Sequence, residues 1–339
     1  MTTRVAINGL GRIGRALLKL VTEEPALELV AVNDLVDASN LAYLIRFDSV
    51  YGRYGKSVAV DGGELVIDGR KLRTLSHRDP LALPWKELDV DLVFECTGAL
   101  TQRADLEKHV AAGARIVLLS APSTGVEVVV HGANPGSGSS SIISCASCTT
   151  NCITPIVEVM GRRIGIRKAV MTTVHAYTSS QALVDGPNKR FRRGRAAGAN
   201  LVPTTTGAAL ATTRALPEFE GRFDGIALRA PIPVGSIADV TFITSRPTTV
   251  DEVNRIFTEE ADSERYKGVL GVSRDPLVSS DIVGDSRASI VDVELTRVVD
   301  GDLVKIMSWY DNEWGYANQM VREAVSMSLA RQRTAARPH

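Results

Sequence analysis

The sequence predicts an α/β protein of two domains: a parallel sheet covered by helices, then an α+β domain with a mixed or antiparallel sheet. The chain has 339 residues, 44% of them hydrophobic, enough for more than one core. Its first part alternates β-branched runs with helical periodicity, the rhythm of βαβ units. Near residue 147 that rhythm gives way to long alternating strands with fewer helices between them, which suits a mixed sheet.

The elements follow in order. "RVAING" is a short strand, and "GRIGRALLKLVTEE" is a helix with Ile13, Leu17, Leu20 and Val21 on one face. "LELVAVND" is a second strand. "VAVDGGELVIDGRKLRTLS" carries turn signals at Asp61-Gly62-Gly63 and Asp68-Gly69 and reads as an inserted β-meander. A strand "DVDLVFECTG", a helix "TQRADLEKHVAAGA" and a strand "RIVLLSAPS" complete the first half. "SCTTNCITPIVEVMGRRIG" is helical. After it "KAVMTTVHAYT", "DGIALRAPIPV", "IADVTFITSRP", "ASIVDVELTRVV" and "LVKIMSWYDN" alternate as strands, and "NEWGYANQMVREAVSMSLARQ" closes as a helix. Between Tyr177 and Pro203 periodicity is weak and Arg, Gly and Ser are frequent, the mark of a functional or partner-packed loop. The end, "ARQRTAARPH", reads as solvated.

Composition narrows the function. Basic and acidic residues balance at 39 each, so no basic stripe marks nucleic acid as the main partner. No apolar run is long enough to span a bilayer, and the N-terminus lacks a signal-peptide core. A reducing, cytoplasmic setting is expected, and with it free thiols in place of a disulfide framework.

Gly9-x-Gly11-x-x-Gly14 follows a strand and opens a helix, the context a dinucleotide fingerprint needs. Gly9 permits the tight turn, Gly11 lets a pyrophosphate near the backbone and Gly14 allows close packing. The helix N-terminus adds N–H groups and positive dipole. Asp34 ends the second strand, where an acid binds the adenosine ribose and repels a 2′-phosphate, so NAD is the expected cofactor.

"SCASCTTNC" holds three of the four cysteines. Cys148 and Cys152 lie one helical turn apart, but zinc needs further ligands, and Cys145, Cys96 and the isolated His175 do not supply a set at metal spacing. A thiol nucleophile fits better. Cys148 sits at a helix start, which lowers a thiol's pKa, and His175 lies on a strand long enough to run beside that helix.

"INGLGRIGR", "ASCTTNC", "TTVHAYT", "TTTGAA" and "WYDNEWGYANQM" occur in the order and at the spacing of phosphorylating glyceraldehyde-3-phosphate dehydrogenases, which the chain resembles from about Arg4 to Ser328. The resemblance implies that Cys148 attacks the aldehyde of glyceraldehyde 3-phosphate to give a hemithioacetal and then, after hydride transfer, a thioester. Inorganic phosphate cleaves the thioester to 1,3-bisphosphoglycerate. It implies that His175 holds Cys148 as a thiolate and acts as acid and base, with the Cys148 N–H as oxyanion donor. Thr178 and Arg229 map to one phosphate, and Ser147, Thr149, Arg193, Thr206 and Gly207 to the substrate or the other phosphate. For the cofactor it adds Arg12 and Ile13 at the phosphates, Arg78 and Ser120 near the adenine half and Asn312 at the nicotinamide carboxamide. Pro187 matches NAD-preferring members.

The domains are then 1–147, an NAD-binding Rossmann-type domain; 148–312, the catalytic domain; 313–330, a helix returning to the first domain; and 331–339, a flexible tail. The implied assembly is a homotetramer, with the Tyr177–Pro203 loop at a subunit interface. Three stretches depart from the family pattern. Cys145 stands where Asn is usual, the loop before the active cysteine is shorter and richer in Gly and Ser, and "RAPIPVGSIAD" replaces the commoner "RVPTPNVSVVD" while keeping Arg229 and Asp239. Two other readings compete: an erythrose-4-phosphate dehydrogenase, and a non-catalytic NAD- or RNA-binding protein.

Overall fold

The computed structural model describes residues 2–134 and 136–335, the last six of these by backbone alone. The chain divides into two compact units. One comprises Met1–Val129, Gly136–Ala146 and Met320–His339, the other Val130–Pro135 and Ser147–Gln319.

The first unit is built on a nine-stranded sheet. Its strands run, edge to edge, 127–128, 142–144, 116–119, 92–95, 3–8, 27–33, 70–75, 64–67 and 58–61. The first seven are mutually parallel. The meander expected over residues 58–76 is present, and it extends this same sheet as two antiparallel edge strands. Its tight turns place Gly62, Gly63 and Gly69 at positive φ, as two-residue hairpins require. Parallel strands point their C-terminal ends to one edge, so the loops after Asn8, Asn33, Glu95 and Leu119 gather there. Thr3 Oγ1 donates to Ser328 Oγ at 2.7 Å and ties the closing helix to the first strand. That helix spans Trp314–Ala335, five residues past the expected end at 330. Ala330, Arg331, Gln332 and Arg333 are strong helix formers with no Gly or Pro among them. Of the expected tail, residues 336–339 lie outside the described ones.

The second unit carries a mixed eight-stranded sheet, in the order 202–205, 223–230, 166–176, 236–244, 303–310, 289–292 and 270–273, with 297–299 also paired to 303–310. The helix Cys148–Arg163 packs on it, with Ile153, Ile156, Val157 and Met160 meeting Val240, Phe242, Val304 and Ile306 in one core. Truncating a fully buried side chain such as Phe242 to Ala costs about 3–5 kcal/mol. "ASIVDVELTRVV" is two strands, not one. A 3₁₀ turn at Val293–Leu295 separates Ser289–Asp292 from Arg297–Val299. Three helices had no counterpart in the sequence reading: Ala38–Arg46, Ala208–Ala215 and Val250–Ala261. The first is capped by the Asp37 carboxylate, which accepts from Asn40 N, and the last by the Thr249 hydroxyl, which accepts from Glu252 N. Residues 130–135 leave the first unit for the second, where Arg265 Nε and Nη2 donate to the carbonyls of Gly132 and Ala133 at 2.8 and 2.7 Å.

Candidate active site

In the first unit, Gly9 stands at φ +93°, and a Cβ there would meet Thr97 N at 2.7 Å. Only glycine fits. A Cβ at Gly14 would lie 1.9 Å from Gly9 O, so the helix Arg12–Val21 sits directly against the loop. At Gly11 the position of a Cβ is open space, and no side chain caps the helix there. A phosphate can therefore approach the helix N-terminus beside Gly11. Asp34 follows the second strand and closes the loop from the other side: Oδ2 accepts from Leu10 N at 2.6 Å and Oδ1 from Val36 N at 2.9 Å. Arg12 Nη1 pairs with Asp48 at 2.6 Å. Ser120 is held by its N–H on Glu95 O at 2.9 Å. Exposed Arg78 follows His77, whose backbone N–H and carbonyl are both bound by the Asn33 side chain at 2.8 Å. The residues fit a dinucleotide: a cradle with room at Gly11, a helix N-terminus beside it and an acid at the second strand end.

The second unit holds the thiol. Ser147 is the N-cap of the helix Cys148–Arg163, its hydroxyl accepting from Thr150 N, and Cys148 is the first helical residue. Cys148 Sγ lies 3.3 Å from His175 Nε2. His175 ends the strand Ile166–Ala176, and the parallel register places it opposite Arg229. His175 Nδ1 is 2.7 Å from Ala176 O, and Arg229 Nη1 donates to that same carbonyl at 2.9 Å. Arg229 Nη1 also lies 2.9 Å from Nδ1, but a carbonyl oxygen only accepts, so the arrangement that satisfies the shorter contact has both Nδ1–H and Arg229 Nη1 donating to Ala176 O. That leaves the Nε2 lone pair facing the sulfur.

Taken singly, neither group ionises easily. Burial pushes the Cys148 thiol up, against the downward pull of Arg229, the N–H groups of Thr149 and Cys148 and the Thr149 hydroxyl. Burial, then the Arg229 charge, holds His175 down to about 3. The expectation of a standing thiolate beside a histidinium is modified accordingly. Desolvation resists a lone charge on either atom, and a proton passed across the 3.3 Å contact would leave each new charge facing the other.

Behind the pair stands Tyr310, whose hydroxyl lies 2.8 Å from both Thr149 Oγ1 and Thr173 Oγ1. Its ring meets His175 edge-on at 6.0 Å. Asn312 Oδ1 accepts from Gly235 N at 3.2 Å and Ser236 Oγ at 3.0 Å, and Ser236 Oγ in turn accepts from Ala176 N at 3.1 Å. Asn312 is thus coupled to the backbone that carries His175.

Thr178 and Arg193, which the resemblance assigns to different phosphates, belong to one chain here. Thr178 Oγ1 lies 2.9 Å from Ser180 Oγ, Arg193 Nη1 donates to Ser180 Oγ at 3.1 Å, and Arg193 Nε donates to Thr204 Oγ1 at 3.0 Å. Both Arg229 and Arg193 act on His175 electrostatically, so cationic side chains crowd this side of the imidazole, as an anion site requires. Thr206 and Gly207 stand at the head of the helix Ala208–Ala215, Gly207 as its N-cap. Tyr310, Thr173, Ser180 and Ser236 were not found from sequence. A tyrosine or serine within an alternating strand reads as packing.

The other cysteines differ in setting. Cys152 is buried near Ser289 Oγ and Ser308 O, each at 3.8 Å, and burial pushes it up to about 12. Cys145 is buried, and desolvation, then the nearby Glu323 and Cys96, keep its thiol well above the ordinary range.

Comparison with known proteins adds an independent finding. A family model described as "Glyceraldehyde 3-phosphate dehydrogenase, NAD binding domain" matches residues 3–103, and one described as "Glyceraldehyde 3-phosphate dehydrogenase, C-terminal domain" matches residues 147–312. A glyceraldehyde-3-phosphate dehydrogenase of Mycobacterium tuberculosis is 49% identical over 331 residues, covering 95% of this chain and 97% of that protein. One from Streptomyces coelicolor is 47% identical over 326 residues, and glyceraldehyde-3-phosphate dehydrogenase 1 of Bacillus subtilis 44% over 325, with the same coverage of both chains.

Proposed function

We infer the activity from one premise: the chain belongs to the glyceraldehyde-3-phosphate dehydrogenase family, and it is an NAD-dependent enzyme that oxidises glyceraldehyde 3-phosphate and captures the acyl group with inorganic phosphate. The observation that carries the chemistry is the contact between Cys148 Sγ and His175 Nε2, at 3.3 Å and at the head of a helix.

In this reading Cys148 Sγ attacks the aldehyde carbon while its proton passes to His175 Nε2. The carbonyl oxygen takes up negative charge beside the Cys148 N–H at the helix start and then receives that proton back from His175 Nε2, giving the hemithioacetal and a neutral imidazole. The Gly9–Gly14 loop, Arg12, Ile13, Asp34, Arg78 and Ser120 would hold NAD, which would supply the hydride acceptor, and Asn312 is the residue proposed for its carboxamide. His175 removes the hydroxyl proton as the carbon is oxidised to the thioester. Inorganic phosphate attacks the thioester carbon, the C–S bond breaks, and the sulfur leaves as a thiolate that takes back the His175 proton. Arg229, Thr178, Arg193, Thr206 and Gly207, with Ser147 and Thr149, offer the donors for two anionic groups. Offering the purified protein glyceraldehyde 3-phosphate and NAD, with and without inorganic phosphate, tests the reading. NADH should form with phosphate, and absence of phosphate-dependent turnover would refute it.

We propose a homotetramer and a cytoplasmic setting as well. The first is supported by Leu183, Val184, Phe191 and Leu201, apolar side chains 68–89% exposed on the Tyr177–Pro203 loop, which a partner subunit would cover. Light scattering at four times the chain mass is the expected result. For the second, no helix among the described residues is long and apolar enough to cross a membrane.

A further inference from the structure

Beneath the dinucleotide loop lies a buried polar chain that takes no part in the chemistry above. Glu95, His109 and Trp85 are wholly buried, and Asn8 and Asn33 nearly so. Trp85 Nε1–H donates to His109 Nδ1 at 3.0 Å. An indole N–H only donates, so Nδ1 is the acceptor and the ring proton sits on Nε2, which donates to Glu95 Oε2 at 3.0 Å. Asn8 Nδ2 donates to the same oxygen at 2.6 Å, and Thr97 donates to Oε1 through its N–H at 2.8 Å and its hydroxyl at 2.5 Å. Four donors thus surround a carboxylate that no lysine or arginine among the described residues reaches. The chain continues through Asn33 Nδ2, which donates to Asn8 Oδ1 at 2.7 Å, and ends on the His77 backbone, bound by Asn33 in both directions at 2.8 Å.

Such a network is costly to bury and tolerates few geometries. Its position accounts for its use. Asn8 directly precedes Gly9, Asn33 precedes Asp34, His77 precedes Arg78, and Glu95 O holds the N–H of Ser120 at 2.9 Å. Each of these four neighbours is a residue assigned above to the cofactor. The strand ends at Asn8, Asn33 and Glu95 and the turn at His77 are thus pinned to one another by side-chain bonds, and Ser120 joins them through a backbone bond to Glu95 O.

We propose that His109 and Trp85, though neither stands at the loop, are positioning residues for NAD: by fixing the Glu95 carboxylate they fix Asn8 and Asn33, and so the spacing between the glycine loop, Asp34 and Arg78. The proposal rests on the assignment of NAD to this loop. His109→Phe keeps a ring and removes one donor to Glu95. His109→Gln restores the pattern, since a carboxamide can accept from Trp85 and donate to Glu95. Leu106→Ala, on the same helix and wholly buried, damages packing without touching the network.

The measurements, on the full chain, are NAD dissociation constant by titration calorimetry, thermal unfolding, and kcat at saturating NAD with the KM for aldehyde. His109→Phe should weaken NAD at least tenfold with kcat and aldehyde KM within twofold of the parent. His109→Gln should return NAD affinity to within threefold. Leu106→Ala should lose thermal stability and bind NAD within threefold of the parent. A folded His109→Phe that binds NAD like the parent overturns the proposal, as does Leu106→Ala weakening NAD equally. If His109→Phe does not fold, Trp85→Phe replaces it: a loss of threefold or more supports the proposal and unchanged affinity overturns it. A parent protein with no affinity for NAD would overturn the cofactor assignment itself, a result distinct from any of these.

Discussion

Substituting Asp34 separates two roles that sequence reasoning had merged. The dinucleotide motif gives this acid to the adenosine ribose and makes it the barrier to NADP. The structure adds that its carboxylate already holds the glycine loop, through Leu10 N at 2.6 Å, and its own turn, through Val36 N at 2.9 Å. Asp34→Gly deletes the charge and both bonds. Asp34→Asn deletes the charge but keeps one oxygen able to accept from Leu10 N.

A hydrogen bond to a charged group contributes about 1.5–3 kcal/mol, and each 1.4 kcal/mol is about tenfold in affinity. Loss of the Leu10 anchor alone should therefore weaken NAD by about 10- to 100-fold in Asp34→Gly, before any ribose contact is counted. Asp34→Asn should lose less NAD affinity, by about tenfold relative to Asp34→Gly, because the loop stays anchored. For NADP the order should be the same: Asp34→Asn binds better than Asp34→Gly, since both lack the repelling charge and only one keeps the loop. Titration calorimetry with the two cofactors reads all four values. Asp34→Gly and Asp34→Asn with equal NAD affinity would refute the anchoring role. NADP binding unchanged in both would refute the charge barrier.

Cys148→Ser should abolish turnover and leave NAD affinity within about twofold, and His175→Asn should slow both turnover and iodoacetamide alkylation of Cys148 at pH 7; an unchanged alkylation rate would remove the proton acceptor from the mechanism. Tyr310→Phe strips the shared partner from two buried threonine hydroxyls, so the unfolding free energy should fall by about 1–3 kcal/mol with a smaller alkylation rate at Cys148; denaturant titration at constant m checks the first part. Stability should also fall with pH in two stages. His175 has a folded value of about 3 against an ordinary 6.5, so below 6.5 the unfolded chain takes up a proton the folded chain refuses, at up to about 1.4 kcal/mol per pH unit. Below the ordinary carboxyl value, Glu158 and Glu260 follow: burial pushes both up, bonds from Arg162 (with Tyr266 at Glu158 and Arg163 at Glu260) more than offset it, and their folded values are lowered. Their contribution is whole above pH 4.5 and is lost as pH falls through the depressed values. Calorimetry on His175→Asn should flatten the upper stage and leave the lower.

What the sequence revealed was governed by how local each cause is. The strand–turn–helix at Gly9–Gly14 is dictated by residues within one turn, so its glycines had the conformational roles read for them. The helix start at Cys148 was legible because the Ser147 cap lies beside it. The Cys148–His175 pair was read from the helix start and the strand's length, and the fold supplies its distance of 3.3 Å. Thr149 and Tyr310 are 161 positions apart and Thr178 meets Arg193 only through Ser180, so no window along the chain contains these relations. Glu95 lay hidden in "DVDLVFECTG" as a polar residue at a strand end, because Asn8 and His109, which bind its carboxylate, come from two other segments. The turn at Val293–Leu295 escaped because β-branched residues continue on both sides of it, and the helix Ala208–Ala215 because its alanines and threonines carry almost no pattern.

The four cysteines show why residue type alone could not pick the nucleophile. All are pushed up by burial, so desolvation does not distinguish them. Cys148 differs in having a base 3.3 Å from its sulfur, together with helix-head N–H groups and an arginine charge. Cys145, the residue that departs from the family pattern three positions earlier, has instead the negative charge of Glu323, which opposes ionisation further. Thiolate, not thiol, reacts with electrophiles and peroxide. Brief treatment with iodoacetamide or peroxide near pH 7, followed by peptide mass spectrometry, should therefore modify Cys148 and leave Cys145 intact in the folded protein, with both modified after denaturation. Modification of Cys145 at a rate within tenfold of Cys148 would mean that its burial does not govern its chemistry, and that the substitution brought a second reactive thiol to this segment.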